Sequence, residues 1–175
     1  MNSIIISIGD ELLIGQTVNT NATWMGSELN NIGVEVLEVL TISDTEIAIE
    51  EALKYAGNKV PLVLITGGLG PTKDDITKKV FAKFFNAPLV ENKIVLENVK
   101  RIFKTYNSQM LPINNLQALV PEGCDVLLNK VGTAPGMWME NKQAIFVSMP
   151  GVPSEMKYLL KEEVSKRIVD KFDLP

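Results

Sequence analysis

The chain has 175 residues, 46% of them hydrophobic and 22% charged, with a formal net charge of -4. That composition fits one globular domain and excludes a disordered chain. The acidic balance excludes an extended nucleic-acid-binding surface, which wants a basic stripe, although a single phosphate group can still be held by backbone N–H groups and a lysine or two. Histidine is absent and there is one cysteine, Cys124. Ser-His-Asp and Cys-His catalysis are therefore excluded within this chain, as are His-ligated zinc and an internal disulfide.

The start, Met1-Asn2-Ser3 followed by Ile4-Ile5-Ile6, has no basic segment and no long apolar stretch. It reads as a first strand over Ile4–Ile8 and not as a signal peptide. With no apolar run long enough to cross a bilayer, the expected location is the cytoplasm, with no membrane partner. Asn19–Ile32 carries apolar residues at helical spacing and ends at Gly33, so a helix is expected. Val34–Ile42 alternates as a strand. Thr45–Ala56 reads as a helix stopped by Gly57, with Asp44 or Thr45 as its N-cap. Val60–Thr66 is a second buried strand, followed by a Gly/Pro loop.

Helices are then expected over Asp74–Phe85 and Glu91–Tyr106, and Met110–Pro121 is a mixed, Pro-bounded segment. Val126–Leu128 reads as a short strand. Gly136–Glu140 and Gln143–Met149 read as a hairpin around Asn141-Lys142, and Pro153–Lys171 as a closing helix. The alternation of strands and helices predicts an α/β fold, a three-layer α/β/α sandwich around a mostly parallel sheet, as one domain over 1–175.

In such sheets, ligands bind at the carboxyl ends of the strands. Three loops fall there. The first is Gly67-Gly68-Leu69-Gly70-Pro71-Thr72-Lys73-Asp74-Asp75. Its glycines allow close backbone approach to an anion, Thr72 and Lys73 can bind phosphate, and Asp74 and Asp75 invite a divalent cation between them and the phosphates. A tight turn with Asp74 capping the next helix is the alternative. This is not a P-loop, whose spacing is missing. The second loop, Gly9-Asp10-Glu11-Leu12-Leu13-Ile14-Gly15-Gln16, places two adjacent acids at a strand end. Asn19-Thr20-Asn21 follows, either contacting a ligand or capping a helix. The third is Pro150-Gly151-Val152-Pro153-Ser154-Glu155-Met156, where Ser154 and Glu155 contact a ligand or simply begin a helix. Asn129–Gly136, with Gly132 and Thr133, lines a pocket or forms a turn. Trp138 and the methionines read as packing, and Cys124, without a histidine partner, is not a nucleophile.

Taken together in this order, the loops resemble the molybdopterin-binding, MogA/MoaB-like fold family. The versions Gly9–Gly15, Thr20-Asn21-Ala22, Gly132-Thr133-Ala134-Pro135-Gly136 and Ser154-Glu155-Met156 narrow the resemblance to the N-terminal domain of the CinA (competence/damage-inducible) proteins. It covers nearly the whole chain. The resemblance implies a three-layer sandwich, a homo-oligomer, and, for the CinA branch, metal-dependent pyrophosphatase activity on ADP-ribose. For the MogA branch it implies adenylyl transfer to molybdopterin, with functional acids at positions matching Asp75 and Asp44. The C-terminal amidase domain common in CinA proteins has no match here, so amidase activity is not carried over.

The expected site is then as follows. Asp75, Asp44, Asp10 and Glu11 supply the catalytic carboxylates. Asp75, Asp10 and Glu11 hold Mg²⁺, Mn²⁺ or Co²⁺. Gly67, Gly68, Gly70, Thr72, Lys73, Asp74, Asn21, Gly132, Thr133, Pro150, Gly151, Ser154 and Glu155 bind a small phosphate-bearing ligand, ADP-ribose or a pterin nucleotide. The alternatives are molybdopterin binding or adenylylation, and a non-catalytic binding domain.

Overall fold

The computed structural model describes residues 1–69 and 76–175. In chain order the elements are β1 (Asn2–Ile8), α1 (Asp10–Leu13), α2 (Thr20–Asn31), β2 (Glu35–Ile42), α3 (Glu46–Lys59), β3 (Leu62–Thr66), α4 (Ile76–Phe84), β4 (Leu89–Glu91) and α5 (Lys93–Thr105). A 3₁₀ helix (Pro112–Ala118) leads into β5 (Leu119–Pro121), β6 (Asp125–Leu127), β7 (Gly136–Glu140), β8 (Ile145–Met149) and α6 (Pro153–Leu159). A π-helical turn (Leu160–Val164) joins α6 to α7 (Ser165–Phe172).

The main sheet has the order β2-β1-β3-β8-β7-β6. The first four strands run parallel and the last two antiparallel. The aliphatic β1 and β3 are buried on both faces, as central parallel strands must be. Alternate residues serve opposite layers. Ile4, Ile6, Val63, Ile65 and Phe146 pack beneath α3 and α4. Ile5, Leu62, Leu64, Val147 and Met149 pack against α2, α6 and α7. The three-layer α/β/α expectation holds. Every fully buried Ile or Phe in these layers is worth about 1.5–3 kcal/mol of transfer free energy. Among the described residues, no helix is long and apolar enough to cross a membrane.

Local chemistry explains most boundaries. Asn19, Thr45 and Asn92 cap α2, α3 and α5, accepting from the backbone N–H groups of Ala22, Ala48 and Val95. Thr45, not Asp44, is thus the N-cap of α3. The hairpin between β7 and β8 turns at Asn141, whose side chain accepts from the Gln143 and Ala144 N–H groups.

Four regions differ from the sequence expectation. Gly57 does not stop α3, which continues to Lys59. Its missing side chain serves packing, since a Cβ there would sit 2.5 Å from the Phe146 ring. The acidic segment after β1 closes into the one-turn helix α1. β4 and β5, too short for a periodic signal, pair antiparallel in a separate two-stranded sheet. The closing helix is interrupted by the π turn, where the Ser165 hydroxyl donates to the Leu160 carbonyl.

Candidate functional site at the switch point of the sheet

From β1 the chain passes to β2 on one side, then returns to β3 on the other. The strand order therefore reverses between β1 and β3, the place where open α/β sheets bind ligands. A cavity of about 240 Å³ opens there. Its floor is the ends of β1 and β3, with Ser7 and Ile8 beside Thr66, Gly67 and Gly68. Its walls are Glu11 and Leu12 of α1, the entry to α2 at Asn19–Asn21, and Gly151 and Pro153 at the start of α6. Two helix N-termini, those of α2 and α6, thus converge on one cavity and give it a positive electrostatic bias.

The backbone is drawn tightly together beneath this cavity. Gly67 has φ +110°, and a Cβ on it would overlap the Ile8 carbonyl oxygen. Its N–H donates to the Met149 carbonyl at 3.2 Å. Gly151 closes in from the other side, where a Cβ would lie 3.2 Å from the Gly67 Cα. Only glycine allows three strand ends to meet in this way.

Side chains then cross-link the loops. The Asn21 amide donates to the Gly151 carbonyl at 2.8 Å and approaches the Thr66 hydroxyl at 3.5 Å. Thr66 donates to the Pro150 carbonyl at 3.1 Å. Ser7 Oγ and Asn21 Oδ1, on two residues of the cavity lining, are buried with no hydrogen-bond partner among the described residues. The Glu11 carboxylate folds back over the Gly9 Cα.

The expected site residues divide into three groups. Glu11, Asn21, Gly67, Gly68 and Gly151 surround the cavity, and Pro150 supplies the carbonyl that orients Thr66. Asp10 is exposed beside them at the start of α1. Asp44 is half-buried after β2, at the same sheet edge, because the Gly9 N–H donates to the Ile42 carbonyl. Gly70, Thr72, Lys73, Asp74 and Asp75 lie outside the described residues.

Gly132 and Glu155 form a neighbouring cluster instead, and Thr133 is half-buried in the same loop as Gly132. The β6–β7 loop lies further along the same edge, since Gly136 pairs with Leu127 and Met137 with Ser148. Asn129, fully buried, donates to the Ala134 carbonyl at 2.9 Å and to the Glu155 carboxylate at 2.6 Å. Asn98 of α5 donates to the Asn129 and Gly132 carbonyls and accepts from Arg101. The Glu155 carboxylate presses on the Gly132 Cα, leaving no room for a side chain there. Burial raises the Glu155 pKa above the ordinary carboxylate value, partly offset by the Asn129 donor. Ser154 is exposed. Cys124, remote from both clusters, has its thiol pushed up to about 12 by burial, which makes it inert as a nucleophile.

Reading the sequence missed Ser7 and Thr66. The one available signal was a hydroxyl residue interrupting an otherwise aliphatic strand just before a glycine, in Ile6-Ser7-Ile8-Gly9 and Ile65-Thr66-Gly67.

The sequence profile of the family described as "Probable molybdopterin binding domain" matches residues 4–169. The chain belongs to this family. Within it, the domain is similar to CinA from Thermoplasma acidophilum, with a TM-score of 0.81 and 34% identity over 98% of this chain and 96% of that one. A CinA-like protein of Flavobacterium psychrophilum is 47% identical over 100% of this chain but only 42% of its own length. One from Salinibacter ruber is 41% identical over 96% of this chain and 41% of its own. The domain thus spans less than half of these curated relatives. The molybdopterin biosynthesis enzyme MoaB of Thermus thermophilus shares the fold, with a TM-score of 0.61 at 15% identity over 96% of this chain and 90% of that one.

Proposed function

We propose that the domain hydrolyses the pyrophosphate bond of ADP-ribose or a related nucleotide, with a divalent cation. The observation that carries this reading is the switch-point cavity itself: a glycine floor, two converging helix N-termini and a carboxylate at its lip. Phosphate oxygens sit over Gly67 and Gly68 and the start of α2, where backbone dipoles favour negative charge. The donors at hand are oxygen only: Glu11 at the lip, Asp10 beside it, with Asp75 and Asp44 as further candidates. Such a set suits hard cations, and Mg²⁺ commonly binds through one or two carboxylates plus substrate phosphates. Among the described residues, no group of three or more acids, cysteines or histidines comes together as a complete cage. The cation therefore requires either Asp75 or the substrate itself as a partner. When bound, it neutralises charge developing on the phosphates.

One of these carboxylates takes a proton from water, whose oxygen attacks one phosphorus. The bridging P–O bond breaks, and its oxygen leaves with the other phosphate. ADP-ribose plus water gives AMP plus ribose 5-phosphate. Incubation with ADP-ribose and Mg²⁺, Mn²⁺ or Co²⁺ should release both products, and Asp75→Asn should abolish release while the domain stays folded. No product from the folded wild-type domain, with any of these cations, sinks the proposal.

The family match favours a second reading, molybdopterin binding or adenylylation at the same phosphate site. Saturable pterin binding without ADP-ribose turnover would select it. Assembly into a homo-oligomer belongs to the proposal as well, and light scattering reads it directly.

A further inference from the structure

The cavity has unmet hydrogen-bonding capacity that the ionised oxygens of a pyrophosphate, which only accept, satisfy at Ser7 but not at Asn21. Asn21 Nδ2 is committed to the Gly151 carbonyl at 2.8 Å, an atom that only accepts. The amide therefore cannot be flipped, and Oδ1 stands as an acceptor. It has no partner among the described residues and is buried. Ser7 lines the same cavity, is 0% exposed, and its hydroxyl is likewise unpartnered. A buried, unmatched polar group costs about 1–3 kcal/mol, so two on residues that line one cavity need a cause.

An anionic oxygen against Asn21 Oδ1 would set acceptor against acceptor. An amino group would satisfy Asn21 but leave the Ser7 proton without an acceptor. A hydroxyl does both, donating to Asn21 Oδ1 and accepting from Ser7 Oγ. The cavity, at about 240 Å³, is below the roughly 300–1,000 Å³ of sites that enclose a drug-sized ligand, and so suits one end of a dinucleotide.

We propose that Ser7 and Asn21 form a sugar subsite that recognises a ribose hydroxyl of the ligand, while the phosphates lie on the glycine and helix-terminus side. The identity of the sugar as ribose rests on the nucleotide reading above. The role of Ser7 is substrate positioning.

The test is NMR titration of the wild-type domain and Ser7→Ala, in Mg²⁺, with ribose 5-phosphate and separately with inorganic phosphate. Removing one neutral hydrogen bond should weaken ribose 5-phosphate about tenfold. Inorganic phosphate should bind both proteins equally, and the melting temperature of Ser7→Ala should not fall. Equal weakening of both ligands, unchanged ribose 5-phosphate affinity, or no binding of it to the wild type overturns the subsite. A domain that shows this binding pattern yet never hydrolyses ADP-ribose keeps the subsite and loses the hydrolase. Hydrolysis with no Ser7 effect does the reverse.

Discussion

Two polar regions share the carboxyl edge of the sheet and treat hydrogen bonds in opposite ways. Around Asn129, both side-chain amide atoms and the facing Glu155 carboxylate are engaged: Asn129 donates to Ala134 and Glu155 and accepts from the Val131 N–H. Asn98, carried on α5, ties that loop to the rest of the domain. At the switch point, Asn21 and Thr66 fasten the loops, yet the described residues leave Ser7 Oγ and Asn21 Oδ1 unmatched. A saturated network holds a loop in one shape. An unsaturated one, lining a cavity, has capacity to spend on a ligand. The first has the character of scaffold and the second that of the proposed site.

The backbone beneath the site should be the least forgiving part. Gly67→Ala forces a side chain into φ +110° against the Ile8 carbonyl and should cost about 3 kcal/mol, or prevent folding, in urea denaturation. Next comes the scaffold. Asn129→Ala removes the donor to Glu155 and the acceptor for Val131, and should cost about 2 kcal/mol by the same measurement. Ser7→Ala should go the other way, raising stability by about 1 kcal/mol, because it deletes an unmatched hydroxyl from the interior. If Ser7→Ala destabilised the domain as Asn129→Ala does, the contrast between the two regions would collapse.

The smallest effect is a pH dependence. Burial raises the folded-state pKa of Glu155, so the folded domain holds this proton more tightly than the unfolded chain. The stability it contributes is full below the ordinary Glu pKa and is lost as pH rises through the raised value. Glu155→Gln should therefore gain melting temperature over the wild type at neutral pH, and the gap should close in thermal melts below pH 4.5. A gap that widened on acidification would mean that the carboxylate is held in its charged form.

How much of this was legible beforehand follows from distance along the chain. β1 and β3 were readable because a strand buried on both faces is a continuous aliphatic run, and the start of α2 at Asn19 and of α3 at Asp44 or Thr45 because a cap acts within three residues; the Asn92 cap was passed over, its helix being expected from Glu91. Gly57 was misread because a helix-stopping glycine and one that admits a ring look alike until Phe146 is placed nearby. The β4–β5 pair joins segments about thirty residues apart through three residues each, too few to show a period. The candidate loops announced themselves by glycine and acid content. Their sorting into cavity and scaffold did not, since the Asn129–Glu155 and Asn21–Gly151 bonds span 26 and 130 residues. Ser7 escaped because a hydroxyl inside an isoleucine strand looks like a minor packing choice until its lack of a partner is known.

The most direct test sets one carboxylate from each region against the other in ADP-ribose turnover with Mg²⁺ or Mn²⁺. Glu11→Gln, at the lip of the cavity, should lower kcat/KM about a hundredfold or more. Glu155→Gln, held by Asn129, should stay within about twofold of the wild type, a difference of less than 0.5 kcal/mol in barrier. The opposite order, with Glu155 essential and Glu11 dispensable, would move the chemistry to the β6–β7 loop and contradict the assignment of the switch-point cavity as the site.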